Sequence, residues 1–215
     1  MTKVGISVKL MEQWLKAWSL SRKLPAPARF KSGFRVDVGY DNQRARYVFP
    51  ELNDDFLQLA ETIKEPWIYL KVCAPREAVI NVISNEWEVE PQRYMMTSGD
   101  PMKSRDTVLN QAYKLEYETT DASFIVRIHT GNGDLAAIGH LVIIENLAVY
   151  DRISTEPAHR RKGLGSFVMK ELERIAVSNG IFNNFLAATE EGKRLYESLG
   201  WKVHCLYTSA VIRSL

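Results

Sequence analysis

The chain has 215 residues, of which 46% are hydrophobic and 25% are charged. This composition is typical of a water-soluble globular protein and excludes a disordered, collagen-like or low-complexity chain. The formal net charge of +2 is too small to favour a nucleic-acid partner. Residues 1–50 hold ten basic residues (Lys or Arg) and three acidic ones (Asp or Glu). Residues 51–100 hold four basic and ten acidic residues, and residues 101–215 hold fourteen basic and thirteen acidic residues. The N-terminal segments therefore differ in charge from the rest.

The cysteines and the apolar runs bear on cellular location. Cys73 and Cys205 lie far apart within apolar runs, which favours buried free thiols over a disulfide or a metal ligand. No Cys/His spacing indicates a metal site, so we expect no metal. No apolar run approaches the roughly 18 residues needed to cross a bilayer, and Lys3 and Lys9 interrupt what would be a signal core. We therefore expect a cytoplasmic protein without a membrane partner.

The first 105 residues predict short helices and strands. Ser7 to Arg22 has apolar residues at helical spacing and predicts an amphipathic helix that packs on the core, with a membrane-surface helix as the alternative. The residues after it predict a hairpin around 41–43 and then a helix that is capped by Asn53 or Asp54 and ended by Pro66. A strand at 67–73, a helix at 75–83 and a linker at 96–105 are predicted to follow. Three glutamates alternate over 86–90, which would place three carboxylates on one strand face where they could attract a cationic amine.

The remaining residues alternate between strand and helix patterns. Predicted strands lie at 113–118, 123–130, 135–144, 147–155, 184–189 and 202–212, and the strand at 147–155 has no break. One predicted helix has its apolar face from Leu164 to Ala176 and its stop at Asn179-Gly180, and a second lies at 190–199. Together these elements indicate an α/β fold with a mixed sheet. We expect one region at residues 1–100 and a second at 101–215.

The strand at Leu147–Thr155 leads through a short turn into a basic, glycine-bearing loop and a helix. The loop is Arg160-Arg161-Lys162-Gly163-Leu164-Gly165, followed by Ser166. Free backbone N–H groups and the positive end of the helix dipole make such a helix start a binding site for phosphate. The loop is neither a Walker loop nor a Rossmann fingerprint, and an ordinary strand-to-helix connection is the alternative interpretation.

Two motifs, in order, give the chain from Ala136 to Ile212 a family resemblance. The loop above follows Pro157, and Leu195-Tyr196-Glu197-Ser198-Leu199-Gly200-Trp201 lies after the next strand. This arrangement resembles the GNAT superfamily of N-acetyltransferases. The resemblance implies that acetyl-CoA binds between the strands at 147–155 and 184–189, with its pyrophosphate at residues 160–166. It also implies that pantetheine pairs with Ile153, Ser154 and Thr155, and that Tyr196 is a catalytic tyrosine.

The chain departs from the family pattern in two places. Thr189 stands where the family usually has an asparagine, so one cofactor hydrogen bond would be made differently. The family also inserts two helices between its first two strands, and only 119–122 are available here if the first strand is 113–118. Residues 1–100 would then supply the acceptor wall, or form a degenerate GNAT-like half. The alternative first strand is 67–73, with helices at 75–83 and 106–112 after it.

The chemistry of amine acylation requires a base and a proton donor. An alkyl ammonium with a pKa near 10.4 must lose a proton before it attacks a thioester, and the leaving thiolate resembles a cysteine with a pKa of about 8.5. Transfer from an unperturbed tyrosine, with a pKa of about 10, would be uphill. The site must therefore lower the pKa of Tyr196 or use its hydroxyl as a hydrogen-bond donor. A core aromatic residue is the alternative interpretation.

The base is inferred from the period of two along the predicted strand. This period places residues 149, 151, 153 and 155 on one face, where Asp151 is the only titratable group. Asp151 is our first choice for the base, with Glu145 and His140 behind it. An ordinary solvated carboxylate is the alternative interpretation of Asp151.

These inferences predict an enzyme that moves an acetyl group from acetyl-CoA to a primary amine by direct attack in a ternary complex. The acceptor amine and the acyl preference stay open. The alternatives are an acyl-CoA-binding regulatory module without turnover and, less favoured by charge, a nucleic-acid binder. Assembly as a homodimer is compatible with the sequence.

Overall fold

The structure, a computed structural model, describes residues 5–103, 108–120 and 123–213. The chain forms two compact units. Unit 1 comprises Met1–Met96, Ala187–Glu190 and Val203–Leu215, and unit 2 comprises Thr97–Leu186 and Glu191–Lys202. The fold is mixed α/β, as predicted. The domains at 1–100 and 101–215 stay a prediction.

The helices are α1 (Val8–Leu20), α2 (Asp54–Thr62), α3 (Arg76–Ile80), α4 (Leu164–Ser178) and α5 (Glu190–Ser198). The strands are β1 (Ala28–Phe30), β2 (Gly33–Tyr40), β3 (Gln43–Phe49), β4 (Ile68–Val72), β5 (Glu88–Val89), β6 (Arg93–Ser98), β7 (Tyr113–Thr119), β8 (Phe124–Thr130), β9 (Leu135–Ile144), β10 (Leu147–Thr155), β11 (Asn183–Ala188) and β12 (Lys202–Val211). None of the helices described is both long and apolar enough to span a membrane.

Unit 1 is built on a sheet with a helical crossover. Strands β1, β2 and β3 are antiparallel neighbours, and β4 lies parallel to β3. Helix α2 connects β3 to β4, because a parallel pair requires a crossover. Strand β12 pairs antiparallel with β4, and β5 pairs with β12. A core that includes Phe49, Phe56 and Trp87 packs α2 against this sheet.

The N-terminal helix packs inside unit 1, as predicted. The Ser7 side chain caps α1 by accepting a hydrogen bond from the Leu10 N–H. Trp14 and Trp18 are buried, and the Trp14 ring meets that of Tyr207 edge-on at a centroid distance of 5.5 Å. These contacts place the apolar face of α1 on the protein's own core, not at a membrane surface.

Several predicted boundaries in the first half are wrong. Helix α2 ends at Thr62, before Pro66, and α3 covers only Arg76–Ile80 because Pro75 is its cap. The predicted linker at 96–105 begins inside β6. The predicted thiols are confirmed, since Cys73 and Cys205 are buried and free. A hydrogen bond with Cys205, together with burial, raises the pKa of Cys73.

Unit 2 contains the sheet that supports the loop of interest. Strands β7, β8, β9 and β10 are consecutive antiparallel neighbours, and β11 lies parallel to β10. Strand β7 pairs directly with β8, and residues 108–112 of the alternative's second predicted helix form no helix. Which strand corresponds to the first strand of the family stays a prediction. Residues 106–107 and 121–122 lie outside the described ranges.

Gly139 lets α4 pack closely on unit 2's sheet. A Cβ atom at this position in β9 would lie 2.5 Å from Val168, 2.7 Å from Ile153 and 2.9 Å from Leu172. Real Cβ atoms do not approach other side chains this closely. The missing side chain therefore determines how near β10 and α4 lie to each other.

We predict that Gly139→Ala destabilises the protein by about 1–3 kcal/mol, because the added methyl overpacks this layer. Urea unfolding measures the change. Gly131→Ala is the matched control, since its Cβ would have its nearest neighbour, the Ala112 carbonyl oxygen, at 3.9 Å. Equal stability of the two variants would contradict this account of the packing.

Candidate functional site

The strand β10 separates from β11 part-way along its length. Their parallel register runs from Leu147–Asn183 to Tyr150–Leu186 and ends there, although β10 continues to Thr155. The other edge of β10 stays paired with β9 as far as Thr155. Beyond Tyr150, the edge of β10 that faces away from β9 is therefore available to a ligand.

A β-bulge occurs where this separation begins, although β10 runs as one strand from Leu147 to Thr155, as predicted. The register with β9 shifts between Asp151 and Ser154, and Arg152 has a φ of 54°. Asp151 lies opposite His140, and Ser154 lies opposite Ile138. The extra residue reverses the alternation.

Because of the bulge, residues of β10 beyond Asp151 lie on different faces of the sheet from those predicted. Asp151 and Ser154 share one face, because their partners on β9 are two residues apart. Ile153 instead lies near Gly139 and α4, and Thr155 lies near Gly165. The period of two is therefore wrong beyond Asp151, and Ile153 and Thr155 lie on the α4 face.

The basic loop has the backbone geometry of an anion-binding turn. Arg161 has a φ of 61° and Gly163 has a φ of 80°, both in the left-handed region. Gly163 is the cap residue of α4 and has no side chain to accept hydrogen bonds from the first-turn N–H groups. Residues in the left-handed region can turn neighbouring N–H groups toward one point. The loop therefore suits an oxyanion.

The side chains around the loop favour negative charge. Arg160, Arg161 and Lys162 are exposed, and the first turn of α4 contains no acidic residue. The Arg160 Nε donates to the Thr155 carbonyl oxygen at 3.3 Å, which fastens the loop to the end of β10. Leu164 is buried, so only its backbone is available to a ligand, while Ser166 is half-buried.

Gly165 brings three elements together. A Cβ at this position would lie 3.2 Å from the Leu195 side chain and 3.6 Å from the Thr155 hydroxyl. The start of α4 therefore lies against both β10 and α5. This places the helix that contains Tyr196 beside the loop.

The corresponding crossover in unit 1 lacks this chemistry. The Asn53 side chain already accepts the hydrogen bond of the Phe56 N–H at 3.2 Å. Asp54 and Asp55 occupy the first turn of α2, and their charge repels an anion from this helix start. Only α4, of these two crossover helices, suits a phosphate.

Tyr196 is buried on α5 and lies within electrostatic reach of Asp151. Its exposed fraction is 7%, and its ring lies 6.1 Å from that of Trp201. Burial, with the negative charge of Asp151 second, raises the pKa of Tyr196. The hydroxyl therefore stays protonated and can donate a hydrogen bond, and it is a weaker acid than an exposed tyrosine.

The structure separates the three candidates for the base. His140 is buried on β9 directly opposite Asp151. Glu145 lies in the turn between β9 and β10, six residues from Asp151 and at the end of β10 far from the loop. Asp151 and His140 therefore lie together near Tyr196, and Glu145 does not.

The other predicted features lie elsewhere. Thr189 is exposed in the connection between β11 and α5. In unit 1, Glu86 pairs with Lys64 at 2.6 Å and Glu88 with Arg213 at 2.7 Å, so these carboxylates do not form an open acidic face. No group of three or more His, Cys, Asp or Glu within the described ranges could hold a metal.

Sequence reasoning missed the partner of His159. This residue ends a single 3-10 turn at Pro157–His159, and its Nδ1 lies 3.0 Å from the Tyr113 hydroxyl. The two rings are edge-on at 5.6 Å. An aromatic residue just before the basic loop was the available signal, but its partner on β7 lies 46 residues away.

Comparison with known proteins assigns this part of the chain. Residues 120–203 match the family model described as acetyltransferase (GNAT) domain. This part of the chain is therefore similar to GNAT acetyltransferase domains. The resemblance inferred from the two motifs is therefore confirmed, and the GNAT domain belongs to enzymes that transfer acyl groups. The search of curated proteins found no significant match.

Solved structures extend the likeness of the fold beyond this domain. The GCN5-related N-acetyltransferase from Kribbella flavida is 15% identical with a TM-score of 0.67, and the match covers 99% of this chain and 98% of that one. A protein described as a GNAT-family acetyltransferase from Novosphingobium aromaticivorans is 18% identical with a TM-score of 0.59, covering 95% and 97%. A conserved protein of unknown function from Staphylococcus epidermidis is 9% identical with a TM-score of 0.59, covering 87% and 93%. At these identities the likeness shows the fold alone.

We predict that Tyr196 stays protonated above pH 10, where an ordinary tyrosine is about half ionised. An ultraviolet titration of tyrosinate, comparing the protein with Tyr196→Phe, would show no tyrosine lost from the transition near pH 10. Asp151→Asn should lower the pKa of Tyr196, because it removes a nearby negative charge. Asp134→Asn, at an exposed carboxylate of the same unit, is the control and should leave that pKa unchanged.

Proposed function

We propose that this protein transfers an acetyl group from acetyl-CoA to a primary amine. The observation on which this proposal depends is the uncapped start of α4 behind the loop at 160–163. Its first-turn N–H groups and three basic side chains would bind the pyrophosphate. Arg160, Arg161, Lys162, Gly163, Leu164, Gly165 and Ser166 are the residues assigned to it.

The outer half of β10 would bind the pantetheine arm. Its edge beyond Tyr150 has no register partner on β11, so Ile153, Ser154 and Thr155 can pair with amide groups as a strand would. The bulge at Arg152 turns this edge away from the regular ladder. The arm would then run from the loop toward Asp151. Thr189 would contact the cofactor at the end of β11.

Asp151 and Tyr196 would divide the proton chemistry between them. Asp151 accepts the proton of the attacking ammonium, directly or through water, with His140 opposite it on β9. The amine then attacks the thioester carbon without a covalent enzyme intermediate. The Tyr196 hydroxyl donates a hydrogen bond to the leaving thiolate and keeps its proton, because burial and Asp151 raise its pKa. An acyl-enzyme trapped with radiolabelled acetyl-CoA would contradict direct transfer.

The same geometry serves a second function class. An acyl-CoA-binding regulatory module would need the loop and β10 but not Asp151 or Tyr196. The closeness of those two side chains favours the enzyme. The remaining assignments stay predictions: an unidentified amine acceptor, no metal, no nucleic-acid or membrane partner, a cytoplasmic location and assembly as a homodimer.

We predict that Gly163→Asp weakens acetyl-CoA binding about tenfold or more, because a carboxylate replaces a hydrogen atom beside the pyrophosphate and repels it. Isothermal titration calorimetry measures the affinity and should give one acetyl-CoA per chain, since Asn53 already caps α2. Gly163→Asn is the matched control, because asparagine tolerates the left-handed region and is neutral. Unchanged affinity in Gly163→Asp, or a stoichiometry of two, would contradict the assignment.

We predict that Tyr196→Phe lowers turnover by about tenfold to a hundredfold, the worth of a hydrogen bond to a charged group, and leaves acetyl-CoA affinity unchanged. Thiol release from acetyl-CoA with a pool of amines measures turnover. Tyr117→Phe is the control, because its hydroxyl contacts Glu171 on α4. Binding of acetyl-CoA without turnover on any amine would favour the regulatory module.

A further inference from the structure

Unit 1 buries two basic side chains beneath α1. Arg46 and Lys71 each have an exposed fraction of 7%. A buried lysine is rare in proteins unless an anionic group compensates it. The Arg46 Nη2 donates to the Gln43 Oε1 at 3.1 Å. This face of the sheet lies on the side away from the α2 core and outside the GNAT domain at 120–203.

The strand register places these two cations together. Arg46 lies opposite Tyr69 in the pairing of β3 with β4, and Lys71 is two residues beyond Tyr69 on the same face. Lys71 lies opposite Ser209 of β12, and its Nζ donates to the Ser209 Oγ at 2.7 Å. The Arg46 guanidinium lies 3.4 Å from the centre of the Trp18 ring, so α1 covers it.

The nearby carboxylate makes only loose contacts. The carboxylate of Glu90 lies 4.0 Å from the Lys71 Nζ, 3.9 Å from Arg93 and 3.9 Å from Arg213. These distances exceed a hydrogen bond. Glu90 therefore does not closely compensate Lys71, and burial, with the positive charge of Arg46 second, lowers the pKa of Lys71 well below its usual range.

A buried hydroxyl on the same face has no acceptor. Tyr207 is 3% exposed, and no described residue forms a hydrogen bond with its hydroxyl. Trp14 holds its ring edge-on. The two guanidiniums that act electrostatically on Tyr207, those of Arg46 and Arg93, also act on Lys71. A buried donor without an acceptor is costly, and this hydroxyl is available to donate to a bound acceptor.

We propose that unit 1 binds a small oxyanion, a carboxylate or a phosphate, between Arg46, Lys71 and the hydroxyl of Tyr207. A guanidinium, an amine and a phenol are donors, and together they match the several acceptor oxygens of such an anion. The side chain of Arg93 is 46% exposed and acts electrostatically on Lys71, so it adds positive charge near this site. This site is independent of the acetyl-CoA site proposed in unit 2.

Anion binding at this site would be coupled to protonation of the Lys71 amine. A negative charge beside Lys71 raises the pKa of its amine, so anion binding favours the protonated amine. The charged and titratable groups around the amine are Arg46, Tyr69, Glu90 and Arg93.

Titration calorimetry of the full chain at pH 7, with succinate and with inorganic phosphate in buffers of different ionisation enthalpy, tests the proposal. We expect binding of at least one anion with proton uptake, and the tighter of the two identifies the ligand class. Lys71→Met should weaken binding about tenfold or more and abolish the uptake. Lys64→Met is the matched control, because Lys64 is exposed and pairs with Glu86.

Tyr207→Phe keeps the test valid if Lys71→Met fails to fold. It should weaken anion binding and raise the melting temperature of the anion-free protein, because it removes a buried donor without an acceptor. Gly163→Asp should leave binding and proton uptake unchanged, which separates this site from the loop of α4. No binding of either anion, or the same affinity and uptake in Lys71→Met as in the unaltered protein, would overturn the proposal.

Discussion

The start of α4 is the constraint on which the rest of the site depends. A helix that follows a strand directly leaves its first N–H groups without partners. Most helices satisfy them with a capping side chain, as Asn53 does for α2. At α4 the cap residue is Gly163 in a left-handed conformation, which cannot supply a side-chain acceptor. The first-turn N–H groups of α4 are therefore available to the anion that we propose, and β10 and α5 lie beside this helix start.

The two units share a chain topology but differ in surface chemistry. Each places antiparallel strands before a strand, a helix and a parallel strand, as in β3–α2–β4 and β10–α4–β11. One crossover has acidic residues in its first helical turn, and the other has a basic loop before it. This common topology agrees with an internal duplication in which one copy has lost its phosphate chemistry. It also fits the match of solved GNAT folds to nearly the whole chain.

Local patterns allowed much of the site to be predicted from the sequence. The apolar face of α4, the glycine loop and the Leu-Tyr motif depend on neighbouring residues, and their helices and strands lie where the patterns indicate. The bulge at Arg152 could not be predicted, because no residue type in the sequence indicates a positive φ at a position that is not glycine. The bulge moves the residues beyond Asp151 to the opposite faces of β10 from those predicted. The Tyr113–His159 and Asp151–His140 neighbours could not be predicted either, since strand register determines them.

The route of the chain through β12 has a consequence for biosynthesis. This strand follows α5 in sequence, yet it forms the antiparallel neighbour of β4 and contributes Tyr207 and Ser209 to the first unit's interior. The ribosome releases β12 only after residues 1–201 have been made. Residues 1–96 therefore emerge with one edge of β4 still open, and an unpaired strand edge is prone to aggregate. The sheet of the first unit is complete only once residues 202–211 have emerged.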